Sequence, residues 1–259
     1  MIAWIEESDP LPSTRQALGA GSEAPGLLAA TRALSSSRLE EAYRRGIFPW
    51  YSAGQPVLWW SPDPRMVLPV AEFKLSRSLR KTLRRFAATP GCEIRIDGDT
   101  PRVIEACARA PREGQDGTWI VPAMVRAYAA WHRQGRVHSV ETWIDGRLCG
   151  GLYCVAIGRM VYGESMFARR TDASKIALAA LMAFCRAHGV GLVDCQQNTR
   201  HLASLGAREW TRHDFEQHLQ HATAAPDIDE WTYHPAHWAH LGLDAEAAGE
   251  PGEPPRTPA

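Results

Sequence analysis

The sequence lacks most of what would commit a chain to a membrane, to an oxidising compartment or to a metal. No run approaches the ~20 apolar residues that a membrane span needs. The opening MIAWIEESDP has neither a basic segment nor an apolar one, so no secretory leader is expected. Six cysteines (Cys92, Cys107, Cys149, Cys154, Cys185 and Cys195) are scattered through apolar segments without a CxxC pair. That spacing excludes the paired ligands of a structural zinc site and reads as buried thiols in a reducing cytoplasm. The histidines of HPAHWAH (234–240) have no cysteine or acidic cluster beside them, and a solvated tail is expected there. Surplus charge is also missing: Lys plus Arg total 29 and Asp plus Glu total 29. Net charge therefore says nothing about nucleic acid, and only a local patch can.

What is present is concentrated. GIFPWYSAGQPVLWWSPDPR (46–65) holds Phe48, Trp50, Tyr51, Trp59 and Trp60 among four prolines. Proline removes a backbone donor and fixes φ, so these rings are expected on irregular backbone rather than on a helix or central strand. FKLSRSLRKTLRRF (73–86) carries six cations and no carboxylate. Arg77, Arg80, Lys81, Arg84 and Arg85 have the spacing of one helical face, with Leu75, Leu79, Leu83 and Phe86 on another.

The remaining pattern organises the chain of 259 residues. Residues 1–72 read as a small, loop-rich N-terminal domain with one helix at 37–45, capped by Ser36 or Ser37 with Glu40 or Glu41 closing a capping box. Residues 73–222 read as a larger domain: a short strand at 94–96, helices from 101 and across VPAMVRAYAAWHRQG, an antiparallel meander over 138–165 and a buried helix, SKIALAALMAFCRAH. A strand, GLVDCQ, and a last helix at HDFEQHLQHA follow. Asp145-Gly146 and Gly158-Arg159 turn the meander. Residues 223–259 read as an extension, disordered from about 246, where Pro, Gly and Glu dominate.

Three features offer chemistry, each beside a plainer reading. On a strand, Asp194 and Gln196 share a face and Cys195 takes the other; they form a polar pair, or Asp194 satisfies backbone donors where the strand runs out. Glu164 interrupts an apolar run in GESMF, either in a pocket or as a strand-end charge in solvent. The basic helix with its aromatic neighbour suits phosphates and stacked bases; a solvated face and a domain interface suit them too, although a solvated face normally mixes signs. Together they suggest an enzyme that binds an RNA end and holds an apolar group among aromatic rings.

GIFPW…WWSPDPR, SRSL, TWI, HSVE, GGLYCV, GESMF, ASK, LVDCQ and HLASLGA occur in the order found in the leucyl/phenylalanyl-tRNA–protein transferases, which the chain resembles over roughly residues 25–220. The resemblance implies an α+β protein: a small N-terminal domain beside a catalytic domain like the GCN5-related acetyltransferases, with a mainly antiparallel sheet flanked by helices. It implies transfer of Leu or Phe, less readily Met, from charged tRNA to the N-terminal Arg or Lys of a protein. That product marks the protein for bacterial degradation through the N-degron pathway. No metal or coenzyme is implied, and a cytoplasmic monomer is expected. By the same resemblance Asp194, Gln196 and Glu164 are catalytic: Gln196 orients the attacking amine, Asp194 polarises Gln196 or favours proton removal, and Glu164 pairs with the acceptor's cationic residue. Trp50, Trp119, Leu152, Met166, Tyr43 and Tyr128 fall in the region for the donor side chain and terminal adenosine, and the cations of 77–85 lie against acceptor-stem phosphates. Asn198 stands one position before the family's asparagine, where this chain has Thr199, and no role is carried to it. The rivals are a non-catalytic tRNA-binding adaptor and an acyl-CoA-dependent N-acyltransferase. The second would need a glycine-rich phosphate loop where this chain reads FARRTDASK.

Overall fold

Residues 2–110 and 120–243 are described by the computed structural model. Two strands, β1 (Ala3–Trp4) and β2 (Leu27–Thr31), precede helix α1 (Ser36–Arg44), and the hairpin strands β3 (Phe48–Pro49) and β4 (Val57–Trp60) complete a four-stranded sheet of order β1-β2-β4-β3. The cap of α1 is Ser35, whose side chain accepts from the Arg38 N–H, one residue before the expected cap. No capping box forms, because with Ser35 as cap the third helical position is Arg38 rather than a glutamate; Glu41 is engaged instead by Arg38, Arg45 and the Leu11 N–H. The rings of 46–65 are more regular than expected. Phe48 lies in β3 and Trp59 and Trp60 in β4, with the prolines confined to strand ends and turns where no ladder donor is required.

The chain then enters a second sheet at once. Strand β5 (Arg65–Pro69) is followed by α2 (Arg77–Ala88), β6 (Cys92–Ile96), α3 (Thr100–Arg109) and α4 (Pro122–His132). The meander β7 (Val137–Ile144), β8 (Arg147–Ile157) and β9 (Met160–Ala168) leads into α5 (Ala173–Ala187) and β10 (Leu192–Gln196). Last come α6 (Arg200–Ser204), β11 (Arg208–Trp210) and α7 (Arg212–Ala224). The strand order is β11-β5-β10-β9-β8-β7-β6, antiparallel throughout except for β9 beside β10. The expected α+β architecture with a mainly antiparallel sheet and flanking helices is therefore present. The change of sheet falls between Trp60 and Arg65, ahead of the expected boundary at residue 72, because RMVLP is a fully buried strand of the larger sheet.

Alternation divides the core along β8. Tyr153, Val155 and Ile157 pack with α1, α3, α4 and α7, while Leu152, Cys154 and Ala156 pack with α2 and the apolar α5. The segment 234–240 is not the expected solvated tail. It is a 3-10 turn (Pro235–Leu241) that buries Trp238 and Leu241 against the α5 side, where neighbouring apolar surface outweighs the polar histidines. The extension from 246 lies outside the described residues. Among the described residues no helix is long and apolar enough to cross a membrane.

Candidate active site

The parallel pair is where the sheet opens. Strands β9 and β10 are joined through α5, a crossover that parallel neighbours require. Their pairing ends at Val193↔Val161 and Asp194↔Tyr162. Beyond that point each strand carries a bulge. On β9, Gly163 faces Cys154 and Ser165 faces Tyr153, which leaves Glu164 as the extra residue. On β10, Asp194 faces Val67 and Gln196 faces Met66, which leaves Cys195 extra. A bulge re-aims side chains and ends pairing. Here two of them part the strands over a cavity of about 370 Å³.

The cavity is apolar over most of its wall, with Phe48, Trp50, Leu152, Met166 and the α5 residues Leu178 and Leu181 among its lining. Glu164 and Gln196 enter it from the two bulges. Gln196 holds φ 56°, the left-handed region that non-glycine residues seldom adopt, and its side-chain Nε2 is buried without a hydrogen-bond partner. This corrects the expected shared face of Asp194 and Gln196. The bulge breaks the two-residue period between them, so Gln196 lines the cavity whereas Asp194 turns into the protein.

Asp194 is fully buried and held by Arg65, the first residue of β5. Arg65 Nε donates to Asp194 Oδ1 at 2.8 Å and Nη2 to Oδ2 at 2.6 Å, a two-pronged pair. The Gln196 backbone N–H donates to Oδ1 at 3.0 Å. Arg65 is clamped in turn: its Nη1 donates to the Gly46 carbonyl at 3.0 Å, and its guanidinium lies between the Phe48 and Phe215 rings, 4.7 and 4.8 Å from their centroids. Gly46, at φ 71°, ends α1, and a β-carbon there would stand 2.8 Å from the Phe215 ring. Asp194 does not border the cavity; its oxygens face Arg65 and the Gln196 N–H. What it fixes is the backbone that carries Gln196. Arg65 went unnoticed in the sequence, although an arginine opening the apolar strand RMVLP signals a demand for a buried carboxylate.

Glu164 meets a pair of tyrosines. Tyr43 of α1 donates its hydroxyl to Glu164 Oε1 at 2.6 Å, Tyr128 of α4 reaches Oε2 at 3.4 Å, and the two hydroxyl oxygens are 2.6 Å apart. Both tyrosines are fully buried behind Glu164 rather than in the cavity wall where they were expected. The reason is their packing: Tyr43 stacks edge-on against Tyr162, and Tyr128 against Trp131 and Tyr153. Burial pushes the Glu164 carboxyl up to about 8; the Tyr43 hydrogen bond pulls it down, and the nearby Asp194 charge raises it. Burial likewise raises the Tyr43 and Tyr128 hydroxyls well above the usual phenol range, so both remain donors.

Of the other expected site residues, Trp50, Leu152 and Met166 line the cavity, and Trp119 lies outside the described residues. Trp50 is braced by Trp60, whose indole N–H donates to the Trp50 carbonyl at 2.7 Å. Arg77, Lys81, Arg84 and Arg85 stand exposed on α2, as the helical spacing predicted. Arg80 differs: it is half-buried and donates to the carbonyls of Leu241 and Gly242, closing the C-terminal 3-10 turn. Thr199 lines the cavity and caps α6 through the Leu202 N–H, while Asn198 Nδ2 donates to Glu209. Among the described residues no group of three His, Cys, Asp or Glu side chains is placed to hold a metal ion.

A family model described as leucyl/phenylalanyl-tRNA protein transferase matches residues 67–220, and one for the N-terminal domain of the same proteins matches residues 32–63. The chain is 67% identical over 245 residues to a leucyl/phenylalanyl-tRNA–protein transferase of Methylibium petroleiphilum, covering 94% of this chain and 92% of that protein. It is 63% identical over 245 residues to the protein of that name from Leptothrix cholodnii, covering 93% and 96%. Among solved structures, FemX aligns with a TM-score of 0.42 at 10% identity over 76% of this chain and 75% of that one. A GCN5-related N-acetyltransferase from Kribbella flavida aligns at 0.34 and 12% identity over 67% and 60%.

Proposed function

The chain belongs to the leucyl/phenylalanyl-tRNA–protein transferase family, and from that premise we propose how its cavity carries an aminoacyl group from tRNA to protein. The observation that carries the reading is a single apolar cavity into which two bulged strands deliver one carboxyl group and one amide with a free donor. An aminoacyl ester and a peptide amine need that set: a slot for an apolar side chain, a donor for the ester carbonyl and a group for the acceptor's cation.

The donor side chain of Leu or Phe enters the slot formed by Phe48, Leu152, Met166, Leu178 and Leu181, and Trp50 stacks on the terminal adenosine. Met166 is unbranched and adapts to either side chain. The acceptor is a protein with N-terminal Arg or Lys, whose side-chain cation meets Glu164. The free carboxyl, raised to about 8, is mostly neutral near pH 7 and loses its proton as the cation arrives. Arg and Lys both satisfy that demand, and Ala does not.

The α-amine has an ordinary pKa of ~7.7–8, so a fair fraction is a nucleophile without help. Its nitrogen attacks the ester carbonyl, a C–N bond forms, the bond to the ribose oxygen breaks, and the amine proton ends on that oxygen. Gln196 spans the reacting centre: its amide oxygen accepts from the amine and its Nε2 donates to the carbonyl oxygen as charge develops there. Asp194 and Arg65 act through Gln196 as positioning residues. The exposed cations of α2 meet acceptor-stem phosphates. The reading places the enzyme in the cytoplasm with charged tRNA, and its product is a protein bearing a new N-terminal Leu or Phe that marks it for degradation.

The test supplies purified protein with radiolabelled Leu-tRNA or Phe-tRNA and peptides differing only in the first residue. Label is expected in the Arg and Lys peptides and not in the Ala peptide. Equal labelling of all three refutes the cation role of Glu164, and tRNA binding without transfer to any peptide favours an adaptor.

A further inference from the structure

Trp50 and Tyr51 are chain neighbours, yet they line different cavities. Trp50 borders the site above, whereas Tyr51 borders a second cavity of about 710 Å³ between the small sheet and α4. Tyr51 is only 7% exposed, and its hydroxyl is buried with no hydrogen-bond partner among the described residues. A buried donor without a partner is uncommon in a folded protein and costs stability unless something else completes it.

The charged groups that line this cavity are of one sign. Helix α4 starts here with Val121 at the N-cap, without a side-chain cap, and Pro122 in the first turn. Val121, Pro122 and Ala123 of this first turn line the cavity, so the positive end of the helix faces it. Arg32, just past β2, and Arg126, one turn into α4, line the same cavity; both are exposed, and neither has a carboxylate partner among the described residues. No Asp or Glu is in the lining. Arg126 is close enough to act electrostatically on the Tyr51 hydroxyl.

We propose that this cavity is a second anion site, which takes a backbone phosphate of the donor tRNA at a distance from its esterified end. It rests on tRNA being the donor, as the family membership has it. Two guanidinium groups, the positive end of a helix and an orphaned hydroxyl favour an anion, and a phosphodiester offers only acceptors. The acceptor protein does not fit, because its N-terminal residue is cationic and meets two arginines here. The cavity lies across the aromatic loop from the catalytic one, so seating a phosphate beside Tyr51 sets the angle at which the esterified end passes Trp50.

The experiment uses the full chain. Binding of uncharged tRNA is titrated across a range of salt for wild type, Tyr51→Phe and the Arg32→Gln/Arg126→Gln double variant. Transfer is measured from aminoacyl-tRNA and from a 3′-aminoacyl-adenosine ester, which has no phosphate. Tyr51→Phe is expected to keep or raise Tm, since it deletes an unpaired buried hydroxyl, while binding tRNA about threefold more weakly. The double variant is expected to bind about tenfold more weakly at low salt, with a log–log salt slope shallower by about 1–2. Transfer from the adenosine ester should not change in either. Unaltered affinity and slope in both variants overturn the proposal. So does a parallel loss of transfer from the ester, which would place the effect in the catalytic cavity or the fold. A wild type that binds tRNA with the predicted variant losses but transfers from neither donor would sink the transferase reading and leave this site standing.

Discussion

Replacing Glu164 by Gln should make the protein more stable near neutrality and abolish most of one pH dependence. The folded carboxyl titrates at about 8 against an ordinary 4.5. Between those values the folded state keeps a proton that the unfolded state has lost, so the contribution of Glu164 is fully present below 4.5 and disappears as pH rises to about 8. By pH 7 the loss reaches a ceiling of about 3 kcal/mol, at about 1.4 kcal/mol per pH unit. Gln keeps an oxygen to accept from Tyr43, adds no volume and does not titrate. Melting curves for both proteins, taken from about pH 5 to about pH 8 at constant ionic strength, should therefore diverge. For a chain of this size the gap in Tm is expected to widen by about 6–12 °C in favour of the variant. Every other titrating group is common to the two proteins, so the difference isolates residue 164. Parallel curves would refute the reasoning, because they would mean that Glu164 is ionised and solvated in the folded protein.

The other predictions concern the groups around it. Asp194→Ala leaves Arg65 buried without its counter-charge and should cost about 3–5 kcal/mol in chemical denaturation, along with transfer activity. An Arg65→Met/Asp194→Leu double variant should recover most of that stability and none of the activity; recovery of activity would show that the pair does not position Gln196. Tyr43→Phe removes the hydrogen bond that pulls the Glu164 pKa down, so the pH at which half-maximal acceptor binding is reached should move upward. A downward move would contradict the assignment of donor and acceptor in that hydrogen bond. Replacing Arg84 and Arg85 by Gln should flatten the salt dependence of tRNA binding by roughly 0.7–0.9 for each phosphate no longer neutralised, with transfer from an aminoacyl-adenosine ester unchanged.

Much of the scaffold was legible because its signals are local. Hairpin turns at Asp145-Gly146 and Gly158, the glycine stop after α5 and the amphipathic spacing of α2 each depend on residues within a turn or two of one another. Gln196, Glu164, Trp50, Leu152 and Met166 were picked out by motif, and they do meet in one cavity. What the sequence could not carry were the two bulges. An extra residue in a strand is defined by its partner strand, and no residue type at 164 or 195 announces it. Counting by twos therefore put Asp194 beside Gln196, and only the paired sheet separates the buried carboxylate from the pocket amide. The same holds for Tyr43 and Tyr128, 85 residues apart in the chain, whose hydroxyls meet over Glu164. The sequence by itself determined which elements form and which rare motifs they bear, because propensity and periodicity act over a few residues. Tertiary structure alone decided that Arg65 neutralises Asp194, that Arg80 closes a turn rather than facing solvent, and that Trp50 and Tyr51 border separate cavities. Those outcomes depend on which distant surfaces are pressed together out of water, and no local pattern encodes that.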